Sequence, residues 1–251
     1  MKLLVDVGNT RAKWAVLADG RLSGSGAVLH RGVPSADWVN GLDSAAARCE
    51  RILVSNVAGP VVAHAIGEWA LARHGVRPEF VRASREAGGI RNAYEDPESL
   101  GPDRWCGMIG AWQRARGPLV CIAAGTAMTL DAVDAGGAHL GGLIVPGCDL
   151  MIDSLLRRTS DIAPAAHRAP AAGSDMLGHN TAAALQLGAT HALAALAVRT
   201  IDWVTGVVGT RPRVFLGGGD AARVEPLLGV EVEVRSGLVL DGLAVMAEGV
   251  T

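Results

Sequence analysis

The sequence predicts an α/β protein built from two similar halves. Three observations predict it. Two stretches share one pattern, "KLLVDVGNTRAKWAVLADGRL" at 2–22 and "LVCIAAGTAMTLDAVDAGG" at 119–137: an apolar run, a glycine turn, a second apolar run, then a second turn. The two align over their length. Asp6-Val7-Gly8-Asn9-Thr10 falls on Ala123-Ala124-Gly125-Thr126 with a one-residue gap, and the turn at Asp19-Gly20 falls on Asp134 to Gly137. The repeat spans about 117 residues, far longer than a solenoid unit. Finally, 251 residues with 49% hydrophobic and 19% charged content suffice for one large or two small globular domains.

The elements follow in order. Residues 2–7 read as a buried strand, "GNT" as a turn and "KWAVLA" as a second strand. Asp19-Gly20 is a hairpin signal that leads to a third, short strand. "PSADWVNGLDSAAARCE" reads as helix, "RILVSNV" as strand, and "GPVVAHAIGEWALARHG" as a helix stopped by Gly75. "RPEFVRA" is a short strand. "GGIRNAYEDPESLGPDRW" is a long polar loop, a kind of segment that is usually functional. A helix, "RWCGMIGAWQRAR", follows it.

From Pro118 the pattern restarts with strands "LVCIAA", "MTLDAVD" and "AHLGGLIV". A helix is expected at 149–158 and a long apolar one at about 181–207. "RVFLGGGDAARVEPLL" reads as strand, glycine turn and helix, and 236–249 as a helix packed on a sheet. Two domains are expected, 1–116 and 117–251, with ligand in the cleft between them.

Composition excludes several classes. A net charge of −2 gives no footprint for nucleic acid. Cys49, Cys106, Cys121 and Cys148 lie far apart, so neither a zinc site nor a disulfide framework is indicated, and reduced cytosolic thiols are expected. Asp6 breaks the first apolar run, so it is no signal peptide, and no run of about 18 uncharged apolar residues predicts a membrane span. The histidines, His139 and His179 among them, lack metal-ligand spacing. Trp69, Trp105 and Trp112 read as packing residues.

The glycine turns carry the chemistry. Gly8 and Gly125 let backbone approach an anion, and nearby amides with the Thr10 and Thr126 hydroxyls can donate to phosphate. Asp6 cannot meet phosphate directly but can hold Mg²⁺, usually through water; the alternative is a strand-end cap. The turn Gly217-Gly218-Gly219 lacks both the dinucleotide spacing and a P-loop lysine. It is either a purine platform or a tight turn. Asp103 is either a helix N-cap or a general base, and Arg104 beside it suits a carboxylate or phosphate. Tyr94, the one tyrosine, lies in the polar loop.

These segments resemble, in order, the type III pantothenate kinase family over nearly the whole chain. "DVGNT" is similar to its first phosphate motif and "IRNAYEDPESLGPDRW" to its pantothenate loop. "GTAMTLDAVDAGGAHLGGLIVPG" is similar to its second phosphate motif, "HNTAAALQLGA" to the segment with a substrate-side threonine, and "FLGGGDA" to its adenosine motif. The resemblance implies two duplicated ribonuclease H-like domains of the actin/Hsp70/sugar-kinase superfamily with a central cleft. The first would carry the first phosphate motif and the pantothenate loop, the second the other phosphate motif and the adenosine motif.

It further implies a cytoplasmic homodimer that phosphorylates pantothenate with ATP and Mg²⁺, the first step towards coenzyme A, with no nucleic-acid or membrane partner. Asp6, Val7, Gly8, Asn9, Thr10, Arg11, Ala12 and Lys13 would bracket the ATP phosphates, joined by Gly125 and Thr126, with Gly217, Gly218 and Gly219 at the adenosine. Asp103 would take the hydroxyl proton. Tyr94, Gly101, Pro102, Arg104 and Thr181 would hold pantothenate. Pro102 stands where the family has alanine. Ala123 stands where it has the aspartate that helps bind a monovalent cation (K⁺ or NH₄⁺), so weak or absent potassium activation is expected. A kinase for another small hydroxyl substrate, or an accessory protein linked to transcription control, are the alternatives.

Overall fold

The computed structural model describes residues 1–44, 48–158 and 176–249. Its strands are β1 (Lys2–Val7), β2 (Arg11–Ala18), β3 (Arg21–Leu29), β4 (Arg51–Asn56), β5 (Glu79–Phe80), β6 (Glu86–Ala87), β7 (Ile90–Arg91), β8 (Leu119–Ala124), β9 (Ala127–Val133), β10 (His139–Pro146), β11 (Arg213–Gly217) and β12 (Glu233–Val234). The helices are α1 (Ser35–Val39), α2 (Pro60–His74), α3 (Pro102–Ala115), α4 (Cys148–Arg158), α5 (Thr181–Val208), α6 (Ala221–Val224) and α7 (Leu238–Glu248). They form two compact units. One holds Met1–Arg116, Gly136–His139 and Gly237–Thr251; the other holds Gly117–Ala135 and Leu140–Ser236.

In the first unit the sheet order is β3-β2-β1-β4-β5. β1 runs antiparallel to β2 and parallel to β4. Both faces of β1 are covered, which is why it reads as a continuous apolar run. Leu3, Val5 and Val7 pack with Trp38, Leu42, Ile66 and Trp69. Leu4 faces the other way, with Leu53, Cys106, Leu240 and Leu243. Each such leucine contributes about 1.5–3 kcal/mol by leaving water. Strand alternation then puts Asp6 on the Leu4 face, the side covered by α3 and α7.

The second unit repeats the order strand for strand, β10-β9-β8-β11-β12. Val120, Ile122 and Ala124 of β8 meet Leu193, Ala197, Ile201 and Val204 of α5. Those α5 residues recur at helical spacing, so one stripe of the helix is core. α5 is also the one described helix long and apolar enough, by length and composition, to cross a membrane. It contains no uninterrupted apolar run of that length, because Gln186, Thr190 and His191 break the stretch before Arg199.

Several sequence expectations change at their edges. The strand expected at 77–83 shrinks to Glu79–Phe80, and β3 extends to Leu29. The first expected helix is only Ser35–Val39, followed by a 3₁₀ turn at Asn40–Ser44; positions 45–47 of that expectation lie outside the described residues. α3 begins at Pro102, two residues early, because proline at a first helical position loses an amide that has no partner there.

α7 follows the second half in sequence yet packs in the first unit. Close backbone approach explains it. A Cβ on Gly242 would lie 1.9 Å from Cys106 O, and one on Gly110 2.3 Å from Leu238 O, so α3 and α7 touch through glycine. Lys2 Nζ and Arg51 Nη1 then donate to Ala247 O at 2.6 and 3.0 Å and satisfy the last turn.

Candidate active site

The first unit gathers Asp6, Asp103, Arg104 and Tyr94 with the turn that follows β1. Asp6 sits one residue before the strand end, opposite Lys13 on β2 and Ser55 on β4. Its Oδ1 is sealed from solvent without a hydrogen-bond partner. Burial pushes the Asp6 carboxyl up to about 7. The negative charge of Asp103 adds to this, while Lys13 and the Ser55 hydroxyl oppose it.

That orphaned oxygen fits magnesium. Among the described residues no group of three or more His, Cys, Asp or Glu could hold a metal by itself. Mg²⁺ needs no such cage, since it keeps several waters and takes one or two carboxylates with substrate phosphates.

The turn itself is held from the side. Gly8 N donates to Arg11 O at 3.0 Å, and buried His30 contacts Gly8 O through Nε2 at 2.7 Å. A Cβ at Gly8 would stand 3.5 Å from Arg11 O, an ordinary contact, and at Gly125 3.7 Å from Ala127 O. Neither turn needs glycine for its own packing. The missing Cβ leaves an open amide surface where an anion can come close. Val7 and Ala12 are fully buried in the core, so only their backbone is available to a ligand.

Asp103 is the second residue of α3, and Gly101 is the N-cap. The carboxylate is therefore not the N-cap, although it still serves the first turn: Oδ1 accepts from Arg104 N at 2.8 Å. The buried Arg104 donates from Nη1 to Tyr94 Oη at 3.0 Å, with its guanidinium carbon 5.7 Å from the Tyr94 ring centroid. Buried His139 lies nearly parallel to that ring, at 6.0 Å and 15°. From the sequence, His139 is only a histidine without metal-ligand spacing. Here it backs the tyrosine.

In the second unit, two turns lie side by side at the ends of β8 and β11. Gly217 pairs with Ala123, and Asp220 N donates to Ala124 O at 3.0 Å. Gly218 has φ +99°, and a Cβ there would lie 2.0 Å from Ala124 O, so this glycine is required by the fold. Gly219 is exposed with open space around it. Carboxyl ends of adjacent parallel strands are the usual ligand position in such sheets. Gly147, just before α4, donates its amide to Thr126 O at 2.9 Å.

Thr181 is exposed at the start of α5, after the N-cap Asn180. Thr190 of the same helix reaches Cys148 at 3.7 Å. Thr181 lies nine residues earlier, roughly 14 Å along the helix axis at 1.5 Å per residue. Within this unit it is not gathered with the two turns.

Ala123 is exposed and faces Thr129 and Gly217 in the ladder, so neither neighbour supplies a carboxylate. Asp131, two residues along β9, pairs with Cys121 and is buried.

Two five-stranded sheets with one repeated strand order, each with a glycine turn after its central strand, make the fold of the actin/Hsp70/sugar-kinase class. A solved protein from Sinorhizobium meliloti, assigned as a 2-dehydro-3-deoxygalactonokinase, shares this fold with a TM-score of 0.61 at 16% identity, over 99% of each chain. The sequence profile of type III pantothenate kinase matches residues 2–202. The type III pantothenate kinase of Nitrosococcus oceani is 38% identical over 99% of this chain and 94% of its own, and that of Aromatoleum aromaticum 37% over 98% of each. The chain belongs to the type III pantothenate kinase family.

Proposed function

We propose that this chain transfers the γ-phosphoryl group of ATP to the primary hydroxyl of pantothenate, giving 4'-phosphopantothenate and ADP, the first step towards coenzyme A. The observation that carries the reading is the grouping of Asp103, Arg104 and Tyr94 at the start of α3 with Asp6 at the end of β1. ADP release should rise and saturate with added pantothenate; release indifferent to pantothenate would contradict the reading.

Phosphoryl transfer asks the protein for positioning and charge neutralisation more than for covalent chemistry. Asp103 accepts the proton of the attacking hydroxyl. Arg104 holds the pantothenate carboxylate through charge-assisted hydrogen bonds, with Tyr94 orienting its guanidinium. Gly101 and Pro102 fix the approach to the helix, and Thr181 adds a hydroxyl. The turn from Asp6 to Lys13 takes the phosphates, with Gly125 and Thr126, and Gly217 to Gly219 take the adenosine. Asp6 would hold Mg²⁺ through water, and the ion when bound neutralises phosphate charge. These assignments treat the two halves, 1–116 and 117–251, as ribonuclease H-like domains.

Potassium should activate this enzyme weakly or not at all. Ala123 offers a methyl where a carboxylate would be needed, and Asp131 is turned into the buried part of its sheet. Rates in KCl and NaCl at equal ionic strength should agree within about twofold, well under the tenfold that 1.4 kcal/mol would give. Strong activation by K⁺ would refute this.

The active form is a homodimer. α5 exposes Trp203 and Val207, at 57% and 52%, beside an apolar cavity of about 980 Å³ lined by Leu130, Leu140, Leu143, Ala194 and Val198. Such patches mark interaction surfaces. Light scattering should give twice the 25.8 kDa chain mass, and Trp203→Glu should give monomer. A monomeric wild type would remove the assignment. The four free, buried cysteines suit a reducing cytoplasm. Nothing among the described residues favours the regulatory alternative.

A further inference from the structure

The loop before α3 carries an internal frame. Arg85 Nη1 donates to Tyr94 O at 2.8 Å and Asn92 O at 3.4 Å, and Nη2 donates to Glu95 O at 2.8 Å. Asn92 is the second brace, only 5% exposed. Its Oδ1 accepts from Tyr94 N at 3.0 Å, and its Nδ2 donates to Ser84 O and Pro97 O, each at 3.2 Å. Its own amide donates to Arg85 O at 2.9 Å. The two side chains thus tie the loop on both sides of Tyr94 to the segment at 84–85. Neither belongs to a regular helix or strand, and neither contact set serves the hydrophobic core.

We infer that Arg85 and Asn92 are positioning residues for the substrate side of the reaction. They preset the Tyr94–Arg104 pair through the loop backbone and touch no substrate themselves. The inference rests on the substrate-side reading of Tyr94 and Arg104 above. A loop already ordered before binding does not lose that freedom on binding, which favours affinity. The guanidinium fork suits this task because its planar donors reach several carbonyls at once, which a lysine ammonium on a flexible stem does not match.

Tyr94 is the only tyrosine in the chain, so incorporation of 3-fluorotyrosine gives one fluorine resonance that reports the frame directly. Without any ligand, the wild type should show a single narrow line. Arg85→Ala and Asn92→Ala should broaden it or move it towards the unfolded position, with Arg85→Lys intermediate. In kinetics, Arg85→Ala should raise KM for pantothenate about 10- to 100-fold, the scale on which small misplacements act, while KM for ATP stays within about twofold. Arg85→Lys should recover part of the loss, and it carries the same readouts if the alanine variant does not fold.

An unchanged fluorine line in both alanine variants overturns the inference. So does a parallel rise of both KM values with a lowered melting temperature, the mark of a merely structural role. If the wild type leaves pantothenate unphosphorylated, the substrate reading falls while the fluorine line still decides the frame.

Discussion

Asp103→Asn is expected to keep the fold and to lose about 10²–10⁴-fold in pantothenate-dependent turnover, the contribution of one positioned base. Asparagine is isosteric and retains an oxygen that can accept from Arg104 N, the 2.8 Å bond that the carboxylate makes at the start of α3. Gly101, not Asp103, is the N-cap, so the helix start does not depend on the charge. The amide cannot take a proton from the substrate hydroxyl. KM for pantothenate should change little, because Arg104 and Tyr94 are untouched. Loss of the charge should also lower the Asp6 pKa, since Asp103 is one of the groups that raise it. Steady-state rates and a thermal melt measure both halves. Near wild-type turnover would remove Asp103 as the base.

Asp6→Asn should inactivate the enzyme and at the same time stabilise it, increasingly as pH rises from about 4 to 7. The carboxyl titrates near 7 in the folded chain against 3.8 as its ordinary value, chiefly because of burial. Between about pH 4 and pH 7 the folded state holds a proton that the unfolded state has released. Stability therefore falls as pH rises through that window, and the full penalty applies above it. At about 1.4 kcal/mol per pH unit the penalty is of the order of 4 kcal/mol. Asparagine cannot ionise and escapes it. The variant should melt several degrees above wild type at pH 8, at about 2–4 °C per kcal/mol for a chain of this size, by less at pH 5, and close to wild type only near pH 4. A pH-independent difference, or a lower melting point at pH 8, would contradict the account. The penalty is what a carboxylate kept for a ligand costs in the free protein.

Much of this was legible in the sequence, for physical reasons. β1 is covered on both faces and β8 is buried except at Ala123, so their apolar runs stand out. Asp19 and Gly20 both take positive φ, +48° and +71°, the geometry that an Asp-Gly hairpin turn requires. Gly75 ends α2 in the left-handed conformation, as a C-cap glycine should. The duplication was visible because each glycine turn keeps its place after a central strand.

What was not legible depends on backbone atoms. His30, Arg85 and Asn92 act on carbonyls and amides brought near by folding, and such contacts have no spacing signature. His139 meets Tyr94 only once the hairpin tip, Gly136–His139, has joined the first unit. The partner of α7 was hidden too, because its fit to α3 is made by two glycines, Gly110 and Gly242, that carry no hydrophobic pattern. The extent of β5 was overestimated: a strand-like stretch such as 77–83 does not say where a neighbouring strand stops pairing.

The most direct measurement is mass spectrometry of pantothenate incubated with the purified chain and Mg-ATP, read beside ADP release. The account predicts one monophosphorylated pantothenate for each ADP formed, and product only at the Asp103→Asn level in the variant. ADP formed without phosphorylated pantothenate, or pantothenate left unchanged by a folded chain, would contradict it.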